Sequence, residues 1–493
     1  MKNLTLSNIA GACGGKLCNY KEEVDSRTAA GATENATANS DVNAATDSVE
    51  NKTAECDREA TCVVVDSRLI EEGGIFIATK GERVDGHTFI NQVADKGALG
   101  VICETEPENC KIPYILVEDS FQALKDVAEF YRKQMSLPIV GITGSVGKTS
   151  TKEFIAGVLG VKYRVLKTQG NFNNEVGVPL TLLSIRDEHQ VAVVEMGISD
   201  FGEMTRLTKM VKPDTCVITN IGQCHLENLK DRDGVLRAKT EIFKSMNPKG
   251  CVYLNGDDDK LSTVKKPYEK EIVFFGTGKS NDVYADNIVN KGLLGSDATI
   301  TFGHGQQMFT IDEHISLPGK HMVINATVAS AIGIEYGLTL DEIAEGVANV
   351  APTGGRSHVI DTGKYILIDD CYNANPVSMR AAIDLLNTAN TRKVAILGDM
   401  FELGENEKDL HRQIGEYAST HGVDVLITIG ELSKNMYLGV LESAIGGTKV
   451  SCFDNKSDAI NELGDILKDG DSILIKASHG MHFEELVEVL SKV

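Results

Sequence analysis

"GITGSVGKTSTKEF", Gly141 to Phe154, decides how the rest of the chain is read. Its Gly147-Lys148-Thr149 closes like a phosphate-binding loop of the form G-x-x-x-x-G-K-[ST]. The spacing fails by one residue: the first glycine should stand at 142, where the chain has Ile142, and Gly141 is one position early. Three readings are open: a damaged phosphate loop, a chance run of small residues, or a phosphate loop with its own spacing. The flanks favour a phosphate loop. "LPIVGIT" before it reads as an apolar strand, while Thr149-Ser150-Thr151 and then Phe154, Ile155, Val158 and Leu159 read as a helix start and its buried face. A glycine-rich turn between strand and helix presents backbone N–H groups and a helix N-terminus to phosphate. Lys148 would neutralise phosphate charge there, and the Thr149 hydroxyl would ligate Mg²⁺.

Working outward, strands alternate with helical stretches. "VAVVEMG" (191–197) and "DTCVITNIG" (214–222) are continuous apolar runs, as expected of a largely parallel sheet covered by helices. Glu195 ends the first run, where ligands gather in open α/β sheets; it is either a solvated cap or a Mg²⁺ ligand. His225, in "NIGQCHLEN", follows the second strand end. Lys239, in "LRAKTEIF", reads from its residues alone as a helical surface lysine.

After "VAPTGGRSHV" the alternation restarts, with Pro352, Gly354 and Gly355 as a hinge between this region and a separate doubly wound domain. Three strands there run into polar loops: "LIDDCYNANPVSM" with Asp370, Tyr372, Asn373 and Asn375, "ILGDMFELG" with Asp399 and Glu402, and "ILIKASHGMHFEEL" with Lys476 and Ser478. The Asn/Asp loop is either a turn and N-cap or one wall of a site. On the other side, "CVVVDSRLIEEGGIFIATKGERVDGHTFI" and the strands "ALGVICE" and "YILVED" indicate a small α/β domain ending near Pro138. Between Asp25 and about Thr61 the chain is rich in Ala, Thr, Asn, Asp and Glu with few large apolar residues, and is expected to be a flexible insertion.

With 493 residues there is room for about three domains of 100–200 residues. They are expected at 1–136, 137–352 and 353–493. The net charge of −22 argues against nucleic acid or an anionic membrane as the main partner. The 11 cysteines contain no C-x-x-C pair, so neither a disulfide framework nor a zinc knuckle is indicated. The amphipathic start (Leu4, Leu6, Ile9), stopped by Gly14-Gly15, does not read as a signal peptide, and no apolar run approaches the roughly 18–20 residues of a membrane span. A cytoplasmic monomer is expected.

These segments together resemble the Mur ligase family and its folylpolyglutamate synthetase relatives, whose phosphate loop has the form T-G-x-x-G-K-[ST], as in "TGSVGKTS" here. "GNFNNEVGVPLTLL", "VEMGISDFGEM", "TNIGQCHLEN", "AKTEIF", "PGKHMVINATVASAIG", "DDCYNANPVSM", "LGDMFELG" and "KASHGMHFEEL" follow in family order. The spacing at 141–149 is then natural and no defect. The resemblance implies a three-domain α/β protein: a small UDP-binding domain, a central P-loop ATPase-like domain with a mostly parallel sheet, and a C-terminal Rossmann-like domain. It implies an ATP- and Mg²⁺-dependent amide ligase acting through an acyl phosphate. "NFNNEVGVPLT" and "YNANP" are similar to the branch that adds D-alanyl-D-alanine to UDP-N-acetylmuramoyl-tripeptide. Other readings are a sister enzyme adding a single amino acid, or a P-loop NTPase switch.

By the same resemblance, Thr143, Gly144, Ser145, Val146, Gly147, Lys148, Thr149, Ser150, Asn325, Arg356, Asn373 and Asn375 would bind ATP, and Asp66, Ser67 and Arg68 the UDP end. Thr149 and Glu195 would hold one Mg²⁺. His225 and Lys239, the latter carbamylated by CO₂, would support a second, and Lys148, Lys239 and His225 would be the catalytic set. Lys476 and Ser478 would lie in a substrate-facing loop. The insertion at 25–61 has no counterpart in the pattern, and His479 stands where many relatives have arginine.

Overall fold

The structure is a computed structural model, and it describes residues 1–19, 58–265, 270–303, 308–443 and 447–492. The described chain forms two compact units, one of residues 1–137 with 169–187, the other of residues 138–168 with 188–493. The expected insertion lies outside the described residues as far as 57. Its last four residues do not fit the expectation: Ala60 is fully buried, donates its N–H to Leu4 O at 2.9 Å and accepts from the N-terminal amine at 2.8 Å. A small apolar residue inside an Ala/Thr-rich run gives no signal of its own, so composition alone placed the boundary too late.

In the first unit β1 (Lys16–Cys18), β2 (Val63–Val64), β3 (Ile75–Ile77), β4 (Gly100–Cys103) and β5 (Tyr114–Leu116) form a sheet in the order β1-β5-β4-β3-β2. Only β1 runs antiparallel to its neighbour. The starting helix, Leu6–Cys13, ends at Gly14 with φ 64°, as the paired glycines predict. The "NFNNEVGVPLTLL" segment belongs to this unit. Its helix Gly177–Leu183 packs against the helix Ser120–Arg132, and Tyr131 donates its hydroxyl to Ile185 O at 2.8 Å.

The second unit carries two sheets. The larger contains β6 (Ile139–Thr143), β7 (Val165–Lys167), β8 (Val191–Glu195), β9 (Thr215–Ile218), β10 (Cys251–Asn255), β11 (Ile272–Gly276), β12 (Val283–Asn290), β13 (Ser296–Phe302) and β14 (Phe309–Ile315). Their order is β14-β13-β12-β11-β10-β9-β6-β8-β7, parallel from β7 to β12. The mostly parallel expectation holds; β13 and β14 add an antiparallel wing that the apolar runs did not announce. β6, β8 and β9 are buried at every residue, which is why they read as unbroken apolar runs. One face of the sheet is covered by the helices Lys148–Gly160, Lys320–Glu335 and Leu340–Ala348. Gly346 lets two of them touch: a Cβ there would come within 2.5 Å of Val158 Cα.

The smaller sheet contains β15 (His358–Asp361), β16 (Ile366–Asp369), β17 (Lys393–Gly398), β18 (Val425–Ile429), β19 (Lys449–Phe453) and β20 (Ser472–Lys476), in the order β15-β16-β20-β17-β18-β19. All pairs but β15–β16 are parallel. Separate apolar cores lie on its two faces, the signature of a doubly wound domain. Among the described residues no helix is long and apolar enough to cross a membrane.

Candidate active site

Strand β6 delivers the chain into the glycine-rich turn, and the helix Lys148–Gly160 leaves it. Gly144 has φ 148° and Gly147 φ 81°, backbone that other residues adopt only under strain. Gly144 is also sterically required, since a Cβ there would stand 1.9 Å from Thr219 Oγ1. Gly147 is the helix N-cap and no side chain caps the helix, so its first N–H groups are left for a ligand. The Thr143 hydroxyl, at the strand end, is buried with no partner.

The loop does not hold its shape alone. Asn220, just past β9, clasps Val146 with its side-chain amide: Val146 N–H donates to Asn220 Oδ1 at 3.0 Å, and Asn220 Nδ2 donates to Val146 O at 2.9 Å. Ser145 N–H donates to Asn220 O at 3.1 Å. Asn220 and Thr219 were not singled out in the sequence. The only signal was their place in "TNIG", directly after an apolar strand adjacent to β6.

Lys148 donates to Gly144 O at 2.9 Å. Burial pushes its pKa down, while the Glu195 carboxylate pulls the other way. Thr149 donates its hydroxyl to Glu195 Oε2 at 2.9 Å, and Glu195 is 1% exposed. The strand-end acid is therefore no solvated cap. It is paired with the hydroxyl predicted to share a cation with it. Asn325, also buried, accepts the Thr151 hydroxyl at 2.9 Å and lies beneath Gly147. Ser150 follows Thr149 in the first helical turn.

The loop after β9 brings the next groups. Cys224 lies with its sulfur 3.1 Å from Ser145 Oγ. His225 has φ 51° and opens the short helix Leu226–Leu229. Its Nδ1 stands 2.5 Å from Glu402 Oε2, in close contact but off the line of a well-formed hydrogen bond. The contact holds the Glu402 carboxyl below its usual range.

Lys239 corrects the residue-level reading. It is 1% exposed, on the helix Arg232–Thr240, and no surface lysine. The charged groups that act on it are Cys224 and Lys148. Burial lowers its pKa to about 8. Such an amine is neutral more often than an exposed lysine and is correspondingly nucleophilic.

At the ends of β16, β17 and β20 the three polar loops meet, as the sequence suggested. Lys476 donates to Asp370 Oδ2 at 2.6 Å and to Asn373 O at 2.8 Å. Ser478 N–H donates to Asp399 O at 3.0 Å, and the Ser478 hydroxyl accepts Phe401 N–H at 2.9 Å. Lys476 is thus turned inward and joins loops to one another. Asn375 is the N-cap of the helix Pro376–Asn387, in a capping box with Ser378. Asn373 is exposed and accepts Ala374 N–H. The Arg356 guanidinium lies 3.9 Å over the Tyr372 ring and also acts electrostatically on Lys148. Asp66, Ser67 and Arg68 belong to the first unit. There Arg68 pairs with Asp66 at 2.6 Å and lowers the Asp66 pKa to about 2, while Ser67 is buried and its carbonyl accepts Lys96 Nζ at 3.0 Å.

Among the described residues no three His, Cys, Asp or Glu side chains are grouped to hold a metal. Mg²⁺ does not need such a cage beside a nucleotide, because it takes one or two protein oxygens and completes its shell with phosphates and water. The buried Thr149–Glu195 oxygen pair at the mouth of a phosphate loop fits that requirement.

Comparison with known proteins gives a consistent result. The Mur ligase family, catalytic domain, matches residues 59–132; the Mur ligase middle domain matches 142–333; and the Mur ligase, glutamate ligase domain matches 355–479. A curated relative from Bacillus subtilis (strain 168), UDP-N-acetylmuramoyl-tripeptide--D-alanyl-D-alanine ligase, is 38% identical over 87% of this chain and 92% of its own length. A crystal structure of MurF from Acinetobacter baumannii superposes with a TM-score of 0.81 at 30% identity, covering 99% of both chains. A MurF ligase from Thermotoga maritima in complex with ADP gives a TM-score of 0.75 at 29% identity, covering 87% of this chain and 97% of that one.

Proposed function

The chain belongs to the Mur ligase family, and from that premise we propose that it is an ATP-dependent amide ligase joining D-alanyl-D-alanine to UDP-N-acetylmuramoyl-tripeptide in peptidoglycan precursor synthesis. The observation that carries the reading is the convergence of Lys148, the Thr149–Glu195 pair and the buried Lys239 around one glycine-rich loop. The choice of acceptor is supported by the curated relative from Bacillus subtilis.

The reaction brings two anions together. The tripeptide carboxylate attacks the γ-phosphorus of ATP and ADP leaves, giving an acyl phosphate. The dipeptide amine then attacks the acyl carbon, and the tetrahedral intermediate expels inorganic phosphate. Lys148 and the N–H groups from Gly144 to Thr149 hold the phosphates and offset the repulsion between carboxylate and γ-phosphate. Arg356 approaches the same charge from the C-terminal sheet. Thr149 and Glu195 would hold one Mg²⁺, and His225 with a carbamylated Lys239 would support a second; bound there, such ions would supply Lewis-acid stabilisation of the transferring phosphoryl group. Lys239 becomes a ligand by adding its neutral nitrogen to CO₂ and losing a proton, and its lowered pKa favours that step. Asp66, Ser67 and Arg68 receive the uridine nucleotide in the first unit, and Asn325, Asn373 and Asn375 the ATP in the second.

The test is phosphate release from ATP and Mg²⁺ with UDP-N-acetylmuramoyl-tripeptide, with and without D-alanyl-D-alanine, the product being identified by mass spectrometry. Release that depends on the dipeptide, with a product heavier by one dipeptide less water, is expected. Release with a single amino acid alone would move the chain to a sister branch, and release without either substrate would mark an NTPase switch.

A further inference from the structure

The "LGDMFELG" loop contains a carboxylate that the reaction above does not use. Glu402 lies in the loop after β17 of the C-terminal sheet, yet its Oε2 stands 2.5 Å from Nδ1 of His225, which follows β9 in the larger sheet. The two residues share a second property. His225 has φ 51° and Glu402 φ 62°, so each holds left-handed backbone without being glycine, asparagine or aspartate. Strain of this kind persists where the surroundings over-determine it, and it gathers at functional sites.

Both sides of the contact are anchored. The loop carrying His225 is tied at Ile221, whose N–H donates to Asp258 Oδ2 at 2.9 Å and whose carbonyl accepts Arg232 Nε at 2.8 Å. The loop carrying Glu402 is tied by Phe401 N–H to the Ser478 hydroxyl at 2.9 Å and by Met400 N–H to His411 Nε2 at 2.8 Å. Gly404 packs close against Leu226 and Glu227. A carboxylate from another sheet thus stands against Nδ1 of the imidazole, and Nε2 is the ring nitrogen left over for a cation. A metal-binding histidine is commonly oriented in this way by a carboxylate on its other nitrogen.

We propose that Glu402 is a positioning residue for His225. It orients the imidazole toward the second cation, so that this site is complete only when the C-terminal sheet lies against the loop after β9. The proposal rests on the reading of His225 as a metal ligand. It goes beyond that reading by giving the C-terminal domain a direct part in building the site.

The test uses Mn²⁺ in place of Mg²⁺, with bound and free ion distinguished by electron paramagnetic resonance in the full chain loaded with ADP. Wild type is compared with Glu402→Ala, Glu402→Gln, His225→Gln and the double variant Glu402→Ala/His225→Gln. Glu402→Ala is expected to weaken one Mn²⁺ site by about 10–100-fold, with kcat falling and KM for ATP retained, and Glu402→Gln is expected to recover part of the loss. The double variant should be no weaker than His225→Gln alone, because both act through one ring. Wild-type Mn²⁺ binding by Glu402→Ala beside a weakened His225→Gln overturns the proposal, as does full additivity in the double variant. Unchanged binding in His225→Gln overturns the ligand reading itself, and the proposal with it. Because Glu402 is a largely exposed loop side chain, unaltered thermal unfolding of its variants is expected and separates positioning from loss of fold.

Discussion

Lys476 and Lys148 both stand at the C-terminal edge of a parallel sheet, and their surroundings are opposite. The three donors of Lys476 meet three acceptors, Asp370 Oδ2 at 2.6 Å, Asp370 O at 3.2 Å and Asn373 O at 2.8 Å. Lys148 has a single hydrogen bond among the described residues, to Gly144 O. Lys239 is the extreme case, fully buried, with its pKa lowered first by burial and further by the charge of Lys148. A buried charge whose hydrogen bonds are all made within the protein holds loops together. One whose partners are missing is held ready for partners that arrive with substrate. On the proposed reading, the lysine that ends β20 serves structure and the lysine that begins the helix after β6 serves chemistry.

The sharpest test of that contrast is Lys476→Met. Removing one member of a buried ion pair leaves the other charge uncompensated, and a loss of about 3–5 kcal/mol in unfolding free energy is expected by urea titration. A wild-type urea midpoint would break the comparison by showing that the pair does not carry the fold. Lys148→Ala should do the reverse. Removing one electrostatic group from a transition state costs about 10²–10³-fold in kcat, while the urea midpoint should hardly move. A large stability loss in Lys148→Ala would place both lysines in one class.

Glu313 asks whether an unsatisfied buried titratable group always means chemistry. It lies in the antiparallel wing, on β14, 3% exposed; Ser330 donates to one oxygen at 2.5 Å and the other has no partner. Burial raises its pKa from 4.5 to about 8. Between those two values the folded protein binds a proton that the unfolded chain has lost, so stability falls as pH rises through that window. Glu313→Gln should remove that slope. Its advantage over wild type should grow between pH 5 and pH 8 by at least one unit's worth, about 1.4 kcal/mol, with ligase activity unaffected. Identical pH–stability curves would mean the carboxyl reaches water or a partner in solution. Lost activity would make Glu313 part of the chemistry and the contrast between the lysines less general.

What could be read beforehand follows the same division. The fold was legible because parallel strands buried on both faces write unbroken apolar runs, and the glycine-rich turn was legible because backbone geometry admits only glycine at 144 and 147. Glu195 and the three C-terminal loops followed from their places at strand ends. Lys239 was not legible from its residues, since a helix stretch such as "LRAKTEIF" says nothing of which face is covered by a loop from elsewhere. The capping by Asn375 was one of the two readings the Asn/Asp loop allowed, whereas the inward turn of Lys476 was hidden for a related reason. A polar residue at a strand end has the same sequence signature whether it faces ligand or its neighbours. Ala60 shows the limit of composition, being core in a segment whose average is polar.

Asn220 lies on the boundary of this division, because it serves the loop and touches no part of the chemistry. Its side-chain amide gives Val146 a donor and an acceptor, the two partners that an adjacent strand would have supplied. The loop N–H groups can point at phosphate only while the backbone at Val146 is held from behind. Asn220→Ala removes two hydrogen bonds near a half-exposed turn, and the net effect expected is about 1 kcal/mol, read as an approximately fivefold rise in KM for ATP. Asn220→Asp keeps the acceptor for Val146 N–H, loses the donor to its carbonyl, and should fall between wild type and alanine. If the change appears in KM for ATP with the urea midpoint preserved, the loop is pre-organised by a side chain that belongs to the site without contacting substrate. If the whole change appears in unfolding free energy, Asn220 belongs with Lys476, and the nucleotide loop is held by the fold at large.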